Sequence, residues 1–218
     1  AALRFFRIGH QSFWVDELLT ILAADIGEPL VLPELFRNIQ GPLHGLLVRA
    51  VGAVAVGEAP LRSVSAVFGV AVIPVVYALG RELFDRRAGL AAAVLAAVSP
   101  FSVWYSQELR NYSMLIFFSG LSTLVFWRLL AGKTSSWAGY VAGSVGGVLS
   151  NFAAVFLLAA HAVGGAARML RDRGYLARCV GAWVVVAIIV APWLWGVVWW
   201  SDVDGVRERM TLTPLAAE

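Results

Sequence analysis

Beyond residue 57 the chain is a series of apolar runs separated by short, mostly basic turns. Residues 61–80 and 88–104 are apolar and are divided by the turn Arg-Glu-Leu-Phe-Asp-Arg-Arg; after a polar interruption, residues 113–130 are apolar again and run out at Arg128 and Lys133. Runs of this length match the roughly 20 residues that an α-helix needs to cross a bilayer. Residues 137–170 form a 34-residue stretch without a strong break. That is about 51 Å of helix at 1.5 Å per residue, too long for one crossing of a hydrocarbon core roughly 30 Å thick. A hairpin turning at Ser150 and Asn151 resolves it into helices over 137–149 and 152–168. A basic loop follows at 168–178, then a last apolar run over 180–200, whose end carries Trp193, Trp195, Trp199 and Trp200 in the manner of a membrane-interface belt.

The first 57 residues differ. Asp16, Glu17, Asp25, Glu28, Glu34 and Arg37 are scattered among Leu and Phe, with Pro29 and Pro33 as punctuation. This reads as a loop over 9–57 holding juxtamembrane amphipathic helices. Residues 41–57 are apolar but number only 17 and include His44 and Arg49, a marginal span. The expectation is one all-α domain over 1–218: a polytopic membrane helical bundle of about six spanning helices, with a first extracytoplasmic loop. Residues 1–8 read as the end of a preceding spanning helix, and the chain as a piece of something longer.

Composition agrees. Hydrophobic residues make up 60% and charged residues 14%, against about 25% charged in ordinary soluble domains; mean hydropathy is +0.77. The net charge of +3 comes from short clusters rather than an extended basic stripe, which argues against nucleic acid. The lone Cys179 excludes an internal disulfide.

The clusters also order the topology. If residues 41–57 do not cross, the loops at 81–87, 128–133 and 168–178 share a face holding nine basic residues and three acids, and the other face holds eleven acids and eight basic residues. Crossing would place the basic loops on the side of Asp16, against the excess of Lys and Arg expected in cytoplasmic loops. The non-crossing arrangement puts Asp16, Glu17, His44, Glu108, Arg110 and Asn111 together on the extracytoplasmic side.

Two stretches stand out chemically. In Ser-Phe-Trp-Val-Asp-Glu-Leu-Leu-Thr, Asp16 and Glu17 follow aromatic residues at the edge of an oily protein, and in Tyr-Ser-Gln-Glu-Leu-Arg-Asn-Tyr-Ser-Met the residues Tyr105, Gln107, Glu108, Arg110, Asn111 and Tyr112 interrupt two apolar runs. Ionisable groups next to a bilayer are costly unless they face water, a partner or a substrate. A carboxylate takes a proton from an acceptor, and a guanidinium holds a phosphate through paired hydrogen bonds. The competing reading is a pair of solvated loops anchored by Tyr105 and Tyr112.

These stretches, with Gly-Pro-Leu-His-Gly-Leu-Leu and the segment from Glu58 to Met114, resemble the N-terminal half of bacterial membrane glycosyltransferases of the GT-C type. The resemblance is to the family 39 protein mannosyltransferase-like and aminoarabinose-transferase-like group and runs from about residue 8 to 130. It implies an inverting transferase of the bacterial plasma membrane that takes a sugar from a polyprenyl-phosphate carrier and passes it to a lipid, glycan or protein. Asp16 matches the essential acid of the first extracytoplasmic loop, with Glu17 its neighbour, and Glu108 and Arg110 match the polar cluster of the second; with His44, Tyr105, Gln107, Asn111 and Tyr112, Glu108 and Arg110 are the expected substrate and phosphate contacts. The family's Pro-Pro-Leu pattern stands here as Gly41, Pro42, Leu43, a departure at the first position.

No cofactor is required by this reading, though a divalent cation on Asp16 or Glu17 is compatible with hard-ligand chemistry. His10, His44 and His161 are too far apart for a local zinc motif, and His161 reads as a packed histidine. Gly143, Gly146 and Gly147 lie in an apolar run and suit close helix packing rather than nucleotide binding. A flippase of lipid-linked sugars and an inert membrane scaffold remain alternatives; a transporter places ionisable groups in mid-span, whereas these lie at helix ends.

Overall fold

The computed structural model describes residues 1–24, 26 and 41–200, the last three by backbone alone. Most of the loop segment 25–40, with its expected amphipathic helix and the acids Asp25, Glu28 and Glu34, lies outside the described residues, as do the side chains of Trp199 and Trp200. All regular structure among the described residues is helical: α1 Ala2–Phe5, α2 Val15–Ala24, α3 Pro42–Gly52, α4 Glu58–Leu83, α5 Arg86–Val98, α6 Pro100–Gln107, α7 Tyr112–Leu130, α8 Trp137–Ser150, α9 Ala154–Arg171 and α10 Arg173–Trp200.

The chain folds as a helical membrane bundle. Among the described residues α4, α7, α9 and α10 are long and apolar enough to cross a bilayer, and α5 with α6 makes a fifth span if the bent pair is taken as one. About six were expected. The difference lies in α8, whose 14 residues reach only about 21 Å. Helix α3 has 11 residues, about 16 Å, also too short to cross. Helix α8 is instead an interior element: a Cβ at Gly143 would come within 3.0 Å of the Ser122 backbone nitrogen, so the glycine lets α8 approach α7, and the Ser122 and Ser144 hydroxyls meet at 2.9 Å. His161 packs within the bundle, 3.2 Å from Thr123 Oγ1, 3.3 Å from Tyr140 O–H and stacked on Phe126.

Residues 88–104 do not form one helix. Ser99 leaves the helical conformation (φ −57°, ψ 121°), and α5 and α6 meet at 53°. Pro100 lacks the N–H that would bond the Ala96 carbonyl, and its ring opposes a straight continuation. The freed carbonyls have a partner far away in sequence: buried Arg4 donates to Ala96 O at 2.8 Å and Ala97 O at 3.1 Å, while its Nε reaches Ser106 Oγ at 3.1 Å. Replacing Arg4 by Met is expected to destabilise the fold by about 1–3 kcal/mol, the cost of leaving buried acceptors unmade. Thermal unfolding in detergent measures this, and an unchanged midpoint would remove Arg4 as the brace of the bend.

The two ends of the bundle differ in character. At one, Glu82 joins Arg128 (3.1 Å) and Lys133 (2.8 Å), and Arg168 donates to the terminal carbonyls Leu129 and Leu130 of α7. The basic loops at 81–87, 128–133 and 168–178 therefore gather together. At the other end α2, α3 and the 108–111 turn meet, and Asn111 donates to Ser150 O across 2.7 Å.

Candidate functional site

The site is organised by a buried ion pair. Glu17 lies in the first turn of α2 and reaches back to the Trp14 N–H at 3.3 Å, as a capping-box residue does. Its side chain is fully buried. Arg62, in the first turns of α4, donates from Nε to Oε1 at 2.8 Å and from Nη2 to Oε2 at 2.6 Å, and the Leu109 N–H adds a bond of 2.7 Å. The rest of the guanidinium binds the carbonyls of Ile8 (3.0 Å), Gln11 (2.8 Å) and Ser12 (3.2 Å), so five N–H donors make five bonds. Phe13 lies beneath it, 5.1 Å to the ring centre. Burial by itself raises the Glu17 carboxyl, but the bonds from Arg62 and Leu109 outweigh it and hold the group below the usual carboxylate range.

Asp16 faces elsewhere, because consecutive helical residues point about 100° apart. Its side chain is 43% exposed and stands 4.0 Å from Nη2 of Arg110. Arg110 is buried; its Nη1 donates to the Asp16 carbonyl at 3.2 Å, the guanidinium lies 5.6 Å over the Tyr112 ring, and Nε has no partner among the described residues. Behind it, the Ser65 hydroxyl donates to the Arg110 carbonyl at 2.8 Å and lies 3.4 Å from His44 Nε2.

His44 is buried, and burial, helped by the nearby Arg110 charge, pushes its imidazole down to about 4. The unfolded chain, near 6.5, then binds more protons than the folded one between those limits, so stability is complete above pH 6.5 and falls on acidification toward pH 4. That slope should be lost in His44→Gln, measured as the thermal midpoint at a series of pH values; an unaltered profile would show that another group titrates.

The remaining expected residues divide. Glu108 is half-buried, accepts from Trp104 Nε1 at 2.5 Å, and is raised above the usual carboxylate range by burial and by the Glu17 and Asp16 charges. Gln107 ties the 108 turn to α1 through Leu3 O (3.1 Å) and Phe6 O (2.9 Å). Tyr105 and Tyr112 pack edge to face at 5.1 Å. Glu108 and Gln107, with Trp14, Trp104 and the Glu17–Arg62 pair, line a cavity of about 770 Å³, from which Asp16 and Arg110 are absent.

Arg62 and Arg4 were not among the residues singled out from the sequence. The available signal was their placement: an Arg in an apolar stretch must find an anion or open carbonyls. Gly41 accounts for the departure from Pro-Pro-Leu. Its φ is +102°, which proline cannot adopt, and a Cβ there would lie 2.5 Å from the Leu149 and Ser150 carbonyl oxygens. As to metal, both Glu17 oxygens are engaged, so Asp16 and Glu17 together do not fit a cation site. Among the described residues no three His, Cys, Asp or Glu side chains gather in ligating distance.

The bundle is therefore a multi-helix membrane protein in which Asp16, Glu17, Arg62, Glu108 and Arg110 gather at one end, opposite the basic loops. Residues 40–200 match the family described as dolichyl-phosphate-mannose-protein mannosyltransferase, and the chain belongs to that family of membrane glycosyltransferases. The match begins after Asp16 and Glu17 and extends beyond residue 130, where the resemblance in the sequence ended. No curated protein and no solved structure matches the chain.

Proposed function

We propose that the protein transfers a sugar from a polyprenyl-phosphate donor to a lipid, glycan or protein acceptor at the extracytoplasmic face of the bacterial plasma membrane, with inversion at the anomeric carbon. The observation that carries this reading is the division of labour between two adjacent acids: Glu17 is locked to Arg62, whereas Asp16 keeps an exposed carboxylate beside the buried guanidinium of Arg110. The gathering of the basic loops at the opposite end supports the orientation, by the excess of Lys and Arg on the cytoplasmic side.

Asp16 accepts the proton of the acceptor hydroxyl or amine as that atom bonds to the anomeric carbon. The bond from carbon to phosphate oxygen breaks on the opposite face, and the electron pair leaves with the lipid phosphate. Arg110, through Nε and Nη2, offsets the charge left on that phosphate. Glu17 and Arg62 position α2 so that Asp16 faces the reacting atoms. Binding without cleavage is less favoured, since Asp16, Glu108 and Arg110 lie at helix ends and not in mid-span.

The test supplies labelled polyprenyl-phosphate sugars, or labelled nucleotide sugars, to right-side-out vesicles containing the full-length protein. The expected outcome is transfer from the lipid-linked donor, with a product whose anomeric configuration is opposite to the donor's. Transfer from the nucleotide sugar alone, or passage of the lipid-linked sugar across the membrane uncleaved, would overturn the proposal.

A further inference from the structure

The cavity beside the Glu17–Arg62 pair has a character that the chemistry at Asp16 does not use. Among its lining residues Glu108 offers an open acceptor, and Arg62 offers no open donor. Arg62 has every donor committed, so it offers nothing to a ligand. Glu108 accepts from Trp104 through Oε1, and its other oxygen has no partner among the described residues. Arg7, also in the lining, is exposed with its guanidinium against His10. A phosphate beside Glu108 would face a carboxylate, whereas hydroxyl donors would find an acceptor there.

The walls are aromatic. Trp104 is 60% and Trp14 48% exposed, and the bond to Glu108 fixes the edge of the Trp104 indole while leaving its face available. Such a face suits the C–H side of a sugar ring, with the neighbouring carboxylate taking hydroxyls. Leu3, Phe6 and Val103 continue the lining. Phe6 is 69% exposed, and Phe101, on the same helix as Val103, 68%, so this wall runs onto the apolar outer surface of the bundle. The volume of about 770 Å³ accommodates a monosaccharide head and the start of a chain.

We propose that this cavity binds the neutral, hydroxylated head of a glycolipid between Trp14, Trp104 and Glu108, its tail lying along Leu3 and Phe6 into the bilayer, at a site separate from Asp16.

Octyl β-glucoside, kept below its micelle concentration, is titrated against the full-length protein in nanodiscs free of glycoside detergent and followed by saturation-transfer NMR, with octyl phosphate and methyl β-glucoside as parallel arms. Octyl glucoside should bind saturably and more tightly than either comparison ligand. Glu108→Gln and Trp104→Leu should each weaken it about tenfold, and Trp104→Phe, which keeps an aromatic face, should retain most of it. Asp16→Asn should bind as wild type does, so loss of transfer in that variant leaves the cavity assignment standing. Tighter binding of octyl phosphate, no saturable binding of the glucoside, or wild-type affinity in both Glu108→Gln and Trp104→Leu would each overturn the assignment.

Discussion

Asp16→Asn is expected to lower sugar transfer by about 10²- to 10⁴-fold, the usual worth of a positioned general base, with the thermal midpoint of the protein nearly unchanged. The change is close to isosteric and removes only the negative charge and the proton-accepting oxygen. The side chain is 43% exposed and stands at 4.0 Å from its nearest cation, so little of the fold rests on it. What does rest on this residue locally is its backbone carbonyl, which accepts from Arg110 and from Thr20 Oγ1 and is retained in the variant. The measurement is initial rate of transfer from a labelled polyprenyl-phosphate sugar, normalised to folded protein. A rate within twofold of wild type would take Asp16 out of the mechanism.

Arg62→Met should act by the opposite route, destabilising the protein by about 3–5 kcal/mol because it leaves a buried carboxylate without its counter-charge. Glu17 is fully buried, and three backbone carbonyls of the segment before α2 also lose their donor. Transfer would fall with the amount of folded protein, and the activity of the surviving fraction would fall less than in Asp16→Asn. Glu17→Gln combined with Arg62→Met should cost less than the two single effects summed, since the double variant no longer buries an unpaired charge. Thermal unfolding of the four proteins in one detergent gives the coupling. Additive costs would show that the pair is not the hinge-pin of the first loop.

Much of the architecture was legible in the chain. The apolar runs at 61–80, 113–130 and 180–200 all lie within helices, and the turn near Ser150 and Asn151 separates α8 from α9. Such features are legible because run length and the residues that end a helix act locally. The bend at Ser99 was missed although Pro100 marks it, since prolines at 74 and 192 sit inside helices that continue through them. What distinguishes Pro100 is a guanidinium from residue 4 waiting for the carbonyls that it frees.

The site divides in the same way. That acids at 16, 17 and 108 and a cation at 110 would come together followed from sidedness, because charge in the loops orders a membrane chain before any packing is known. Which of the two adjacent acids is free did not follow, because Asp16 and Glu17 are chemically alike in a string of letters. Helix geometry turns them about 100° apart, and an arginine 45 residues onward claims Glu17 with two hydrogen bonds. By itself the sequence determined a membrane bundle with its polar residues at the helix ends, since hydrophobic length and charge are properties of neighbours along the chain. Only the tertiary structure decided that Glu17 is a buried brace while Asp16 keeps an exposed carboxylate, since that depends on partners brought together from distant parts of the chain.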